Sequence, residues 1–316
     1  RAIVANDAPF DLQGHRGARG LRPENTLAGF AHALAIGVTT LELDTAVTRD
    51  SVVVISHDSA LNPDITRDAS GEWLAAKGPP IHSLTFAELQ GYDVGRIKPD
   101  SAYALRFTDQ VAVDGERIPR LADLFQLVER SGNTVVRFNI ETKLDPRTPD
   151  LTLPPEPFAL ALVYEIRKAG LQKRATIQSF DWRALEVVKR VAQDIATVCL
   201  TTQSGLDDNI GAGTTGPSPW LGGLDIRDFG GSVPRLVRAA GAAVWSPDWR
   251  ELTVAALDEA HQCGLLVIPW TANDPSDMAR LVDMGVDGLI SDRPDVLRGV
   301  LRGKGRPVPS PAGAGS

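Results

Sequence analysis

Cysteine is scarce in this chain of 316 residues: only Cys199 and Cys263 occur, beside two methionines and an aromatic share of 6 %. A small scaffold stapled by several disulfides is thereby excluded. Both cysteines sit in apolar segments far apart in sequence and are expected to be buried small hydrophobes rather than a bridge or metal ligands. Long apolar runs are also missing. The longest, 52–55 and 265–270, fall far short of the roughly 20 residues that a membrane helix needs, so no transmembrane segment is expected. Clustered basic residues are absent as well. With 33 Lys and Arg against 40 Asp and Glu, the formal net charge is −7, and nucleic acid is not an expected partner.

What is present is a chain with 43 % hydrophobic and 23 % charged residues, ordinary values that set aside collagen-like, coiled-coil and wholly disordered classes. Its length permits one large domain or two small ones. The chain begins with Arg1 rather than Met. The expectation drawn from this start is a periplasmic or secreted protein whose leader has been removed, with a trimmed cytoplasmic chain as the alternative.

Short apolar runs rich in β-branched residues recur at 11–14, 39–44, 134–141, 175–180, 196–201, 242–246, 265–271 and 286–291. Helical periodicity fills most of the gaps, at 26–36, 121–131, 157–170, 182–193, 233–240, 253–263 and 275–284. Eight strands alternating with helices predict an α/β protein closed into a (β/α)8 TIM barrel over residues 10–302. The surplus over the roughly 250 residues of such a barrel falls mainly at 59–117, a small insertion rich in Pro, Gly and Asp. Residues 303–316, with their Pro, Gly and Ser, are expected to be a flexible tail.

In such a barrel, chemistry gathers where strands end at the carboxyl face. Glu42 and Asp44 are two apart, so on a strand they share a face, and Glu141 ends the next barrel strand. Carboxylates that close cannot all stay ionised without a cation, and an all-oxygen set suits one divalent ion, Mg²⁺ or Ca²⁺. Segments 39–48 and 51–58 alternate strongly around Arg49 and Asp50, which predicts a two-residue hairpin turn. Pairs then sum to about 99, and His57 falls opposite Glu42. His15 ends the neighbouring strand, so two imidazoles flank the carboxylates as candidate acid and base. His32, His82 and His261 lie outside these positions and are read as structural.

Arg16 offers a planar fork and Lys143 a compact charge for phosphate oxygens, although either could pair with Glu24 or Glu141 instead. Trp270 follows an apolar strand and would give a flat wall for the organic part of a substrate, or simply fill the core. Pro23-Glu24-Asn25-Thr26 reads as a helix start, with Asn near the cap and Glu in the first turn.

His15-Arg16-Gly17, Pro23-Glu24-Asn25-Thr26, Glu42-Leu43-Asp44, His57-Asp58, Glu141-Thr142-Lys143, Trp270-Thr271 and Gly288-Leu289-Ile290-Ser291-Asp292, in this order and spacing, resemble the glycerophosphodiester phosphodiesterases. The resemblance implies a (β/α)8 barrel that hydrolyses small-molecule glycerophosphodiesters to glycerol 3-phosphate and an alcohol. It also implies His15 and His57 as general acid and base, Glu42, Asp44 and Glu141 as metal ligands, and Arg16 and Lys143 as phosphate contacts. Related barrels with phospholipase C or D-like activity, and a barrel that binds phosphodiesters without turnover, are the alternatives. Head group, choice of ion and oligomeric state stay open.

Overall fold

The structure, a computed structural model, describes residues 9–311. Its elements run β1 (Asp11–Gly14), α1 (Leu27–Ile36), β2 (Thr40–Val47), β3 (Val53–Ile55), α2 (Phe86–Leu89), α3 (Ala102–Arg106), α4 (Leu121–Arg130), β4 (Arg137–Thr142), α5 (Pro155–Lys168) and β5 (Ala175–Ser179). The second half continues with α6 (Trp182–Val191), β6 (Ala196–Thr201), α7 (Val233–Ala239), β7 (Val244–Pro247), α8 (Val254–Gln262), β8 (Leu266–Val267), α9 (Pro275–Met284), β9 (Gly288–Ser291) and α10 (Pro294–Gly303). Eight parallel strands neighbour one another in the order β8-β7-β6-β5-β4-β2-β1-β9, and β3 lies off this path as the antiparallel partner of β2. The ring nearly closes. Asp287 N donates to Val267 O at 2.9 Å and Ile290 N to Pro269 O at 3.0 Å, joining the last strand to β8. The (β/α)8 expectation therefore holds.

The strands form because their residues satisfy burial on both faces; all of β2, TLELDTAV, is buried, as parallel strands under a layer of helices require. The helices that cover the barrel bury an apolar stripe. In α6, Trp182, Ala184, Leu185, Val187 and Val188 are buried while the opposite face carries charge. Many helices begin on a residue whose side chain accepts a free backbone N–H: Thr26, Asp181, Ser232, Thr253 and Asp274 cap α1, α6, α7, α8 and α9, and each cap contributes about 1 kcal/mol.

Four details differ from the sequence reading. The hairpin loop has three residues rather than two. Ser51 takes a left-handed φ of 65°, Thr48 N donates to Val52 O, and pairs sum to 100, as in Thr45 with Ile55. By that count His57 matches Leu43, not Glu42. The strand expected at 265–271 is only two residues long as a ladder. Pro269 has no N–H to donate, although Ile268 N and Trp270 N still reach Trp245 O and Pro247 O at 3.0 Å. The helix α10 was not foreseen; Pro294 opens it, and Gly299 and Gly303 dilute its periodicity. Finally, residues 304–311 pack back on the barrel instead of fraying. Arg298 donates to Pro309 O at 2.6 Å and to Gly37 O at 3.0 Å, and Val308 packs on the core; the rest of the expected tail, 312–316, lies outside the described residues.

The insertion has a small core of its own, in which Leu61, Ile81, Leu89 and Val94 pack with Ala46 and Val54 of the hairpin and with Ile118 just beyond the insertion. His82 Nδ1 lies 3.1 Å from Val47 O, and His261 Nε2 lies 2.8 Å from Asp287, both structural contacts. Cys199 is buried and Cys263 half-buried; both thiols are free. Among the described residues no helix is long and apolar enough to cross a membrane.

Candidate active site

Strand register brings the acidic residues together. In the β2–β4 ladder Asp44 lies beside Glu141, and Glu42 beside Asn139. Oxygens of Glu42, Asp44 and Glu141 lie within 4.8 Å of one another, and all three residues are buried. His15, immediately after β1, places Nε2 3.8 Å from Glu42 Oε2. His57 follows β3, where Lys143 Nζ stands 3.3 Å from its Nε2 and Asp58 3.1 Å from its Nδ1. One cleft at the carboxyl end of the barrel is lined by His15, Arg16, Glu42, Asp44, His57, Glu141, Lys143 and Trp270. All eight side chains singled out from the sequence meet there.

The backbone around His15 is shaped for this. A Cβ on Gly14 would sit 2.1 Å from Gly17 O, so only glycine fits where the chain folds back under the histidine. Arg16 and Asn25 hold left-handed φ values of 52° and 54°, a cost that surrounding contacts must offset. Those contacts are present. Asn25 N donates to Arg16 O at 3.0 Å, Arg16 N to Glu42 Oε2 at 2.9 Å, and Asn25 Nδ2 to Asp44 Oδ2 at 3.0 Å. Gln178 Nε2 holds the other oxygen of Glu42 at 2.8 Å.

The site is electrostatically crowded. Burial, with Asp44 and Glu141 adding like charge, pushes Glu42 well above the usual carboxylate range. Burial pushes Glu141 up to about 7, and Asp44 acts in the same direction against Lys143. Burial would raise Asp44 too, but His57, Lys143 and Arg16 hold it below its ordinary value. Both imidazoles are held below the usual range by burial. For His57 the Arg16 and Lys143 charges add to the effect, while for His15 Asp292 opposes it. Arg16 is paired with Glu24 at 3.0 Å and Lys143 with Glu141 at 2.8 Å, so both ion pairs weighed from the sequence form.

The sequence reading missed several members. Asp292, at the end of β9, accepts from Arg19 through both oxygens at 2.7 and 2.9 Å and lies 2.7 Å from His15 Nδ1; these contacts hold it well below the usual carboxylate range despite burial. Asn273 Nδ2 completes its shell at 2.7 Å. The cap of α1 is Thr26, so Glu24 lies outside the helix and pairs with Arg16, and Asn25 serves Asp44. The insertion contributes too. Tyr103 of α3 hydrogen-bonds Glu24, and Phe107 lies under the Arg19 guanidinium at 4.4 Å. The signals for Asp292 were its place after an apolar run and its membership of the Gly288 to Asp292 motif, neither of which gave it a role.

The sequence profile of the glycerophosphoryl diester phosphodiesterase family matches residues 15–296. The chain belongs to this family. Membership makes it an enzyme, a glycerophosphodiester phosphodiesterase by class. Among its relatives, a glycerophosphodiester phosphodiesterase of Caldanaerobacter subterraneus subsp. tengcongensis is 27 % identical over 288 residues, covering 91 % of this chain and 96 % of that one. A crystal structure from Silicibacter pomeroyi, named as a family member, is 32 % identical, with a TM-score of 0.83 over 96 % of this chain and 97 % of that one. An Oleispira antarctica phosphodiesterase, solved with the product sn-glycerol-3-phosphate, shares the fold at 22 % identity and a TM-score of 0.66, over 92 % of this chain and 96 % of that one.

Proposed function

We propose that this chain hydrolyses glycerophosphodiesters to glycerol 3-phosphate and an alcohol, with His15 and His57 as acid and base and one divalent cation, Mg²⁺ or Ca²⁺, held by Glu42, Asp44 and Glu141. The observation that carries this reading is the convergence of three buried carboxylates, two imidazoles and two cationic side chains in one cleft. The donor set fits a hard cation: it is all oxygen, and the buried Gln178 Oε1 beside it has no hydrogen-bond donor. When bound, such a cation supplies the charge that lets the three carboxylates ionise together and draws electron density from an oxygen of the diester.

The chain's own residues do the rest. Arg16 Nε is buried with no hydrogen-bond acceptor and lies 3.7 Å from Asp44 Oδ2, a donor available to a phosphoryl oxygen that enters beside that carboxylate, and Lys143 adds its charge from β4's end. Trp270, edge-on to Phe180 at 5.6 Å, walls the glycerol side. The glycerol 2-hydroxyl, held next to phosphorus, attacks with the advantage of an intramolecular step. One histidine takes its proton, the phosphorus–oxygen bond to the alcohol breaks, and the other histidine protonates the departing oxygen. Water then opens the resulting cyclic 1,2-phosphate with the histidine roles exchanged. In this reading the insertion 59–117 caps the cleft and selects the head group.

The test is a panel of diesters assayed for glycerol 3-phosphate with and without chelator, then with Mg²⁺ or Ca²⁺ restored. Turnover that vanishes on chelation and returns with the ion is expected, and a 2-deoxy analogue should bind but react far more slowly. Full activity in metal-stripped protein would overturn the ligand assignment, and equal cleavage of the 2-deoxy analogue would overturn the cyclic route. Lysophosphatidylcholine, read by choline release because its cleavage leaves lysophosphatidic acid, belongs in the panel, since a human relative 27 % identical over 300 residues is named a lysophospholipase D. Binding of diesters without turnover would favour the non-catalytic alternative.

A further inference from the structure

Besides Arg16, Lys143 and the Arg19 that is engaged with Asp292, the same cleft carries two more cations, which the proposed chemistry does not use. Arg106 comes from α3 of the insertion and Arg250 from the loop after β7, and both line the cleft. The insertion segment that carries Arg106 lies against the chain that follows β1 and β9, at Arg19, Leu21 and Arg293, whereas Arg250 follows β7, so the two arginines reach the opening from different strand ends. Both are exposed, whereas the three carboxylates are buried and His15, His57 and Lys143 half-buried, which places the two arginines at the mouth. The four carboxylates that line the cleft, Glu42, Asp44, Glu141 and Asp292, all lie at the reacting centre. None lines the mouth.

Neither guanidinium is used up by partners among the described residues. Arg250 leans on Asp248 through Nε at 3.1 Å and Nη2 at 3.4 Å and keeps Nη1 for another acceptor. Arg106 forms no ion pair among the described residues and rests near the Phe107 ring at 5.1 Å. Its segment is pinned to the barrel. Gln110 donates to Arg19 O at 2.6 Å, Val111 N to Leu21 O at 3.0 Å, and Arg293 to Asp109 at 2.8 Å, while Tyr103 holds Glu24. The backbone that carries Arg106 is therefore fixed at this edge of the cleft. A guanidinium fork aimed at solvent beside a phosphodiester site matches phosphate or carboxylate oxygens.

Resting on the phosphodiesterase reading, we propose that Arg106 and Arg250 form an anion subsite at the cleft mouth, which favours diesters whose leaving alcohol itself carries a phosphate or carboxylate. A cationic alcohol such as choline meets like charge there and is disfavoured.

The experiment compares kcat/KM for glycerophosphoglycerol, its phosphate monoester, the analogue with glycerate as the alcohol, and glycerophosphocholine, in the full chain with its metal. Wild type is expected to favour the two anionic diesters over glycerophosphoglycerol about tenfold at low salt, mainly through KM, with the preference shrinking as ionic strength rises. Arg106→Gln and Arg250→Gln should each lower the anionic-to-neutral ratio about threefold, and the double variant should abolish it. Arg106→Lys should retain most of it. Because the readout is a ratio within one preparation, partial misfolding does not imitate it. A wild-type ratio near one, or an unchanged ratio in the double variant, overturns the subsite while leaving the phosphodiesterase reading intact. If no diester turns over with metal present, that reading falls and the subsite falls with it as a substrate selector.

Discussion

Two layers of side chains stand one above the other inside the barrel, on the same strands and two residues apart, and they obey opposite rules. The lower layer is a chain of satisfied hydrogen bonds. Thr40 and Gln13 donate to the two oxygens of Asp11, Asn139 donates to Gln13, and Thr176 to Asn139, at 2.7 to 3.1 Å. The upper layer continues the same strands as His15, Glu42, Asp44, Glu141 and Gln178, where like charges crowd and Gln178 Oε1 lacks a donor. One layer is built to stay closed. The other holds chemistry in an arrangement that is incomplete by itself, the pattern of a site that sacrifices local stability for function.

Removing an imidazole from the upper layer is the strongest way to sharpen this contrast. His15→Ala and His57→Ala are each expected to lose on the order of 10² to 10⁴ in kcat while staying folded, checked by circular dichroism and steady-state assay. A variant that keeps near-wild-type kcat would show its histidine to be structural.

Asp292→Asn is expected to have the next largest effect, about 10² in kcat/KM, because the carboxylate orients His15 through Nδ1 and favours its protonated form. Without that anion the His15 pKa falls further, so the limb of the pH–rate profile that reports His15 should move to lower pH. A merely structural residue would lower activity without moving the limb. Stability carries a second sign. Asp292 has its folded pKa below its ordinary value of 3.8, so its contribution is fully present above that pH and is lost as pH falls through the folded pKa. The stability gap between wild type and Asp292→Asn, measured by urea unfolding, should therefore shrink below about pH 4.

What the sequence made legible follows the same division between local and distant. Alternation with period two placed Glu42 and Asp44 on one face, and apolar runs ending in polar residues located seven of the eight cleft residues at strand ends. His57, the eighth, was carried by the hairpin, and its exact partner was misjudged because a left-handed Ser51 adds one residue to the loop, which local patterning does not reveal. The Arg16–Glu24 pair could be weighed from the sequence, but Asn25 looked like part of a helix start because its partner, Asp44, is joined to it only by the fold. Asp292 meets His15 across 277 residues of chain, and no spacing rule reports such a contact. The insertion's reach to Arg19 and Glu24 was hidden for the same reason.

The smallest expected effect belongs to the lower layer and tests the contrast from below. Asn139 donates to Gln13 and accepts from Thr176, and it is buried at 1 % exposure. Asn139→Ala removes both bonds and leaves Gln13 Oε1 and the Thr176 hydroxyl without partners, which costs about 1 to 3 kcal/mol of stability. Thr176→Val removes only one donor and should cost less, about 1 kcal/mol. Neither residue lines the catalytic cleft, so kcat/KM should stay within about threefold of wild type. Urea unfolding and steady-state kinetics on the same preparations decide the matter. A large loss of kcat at either position, with stability unchanged, would mean that the two layers are one catalytic unit and that the division between them is wrong.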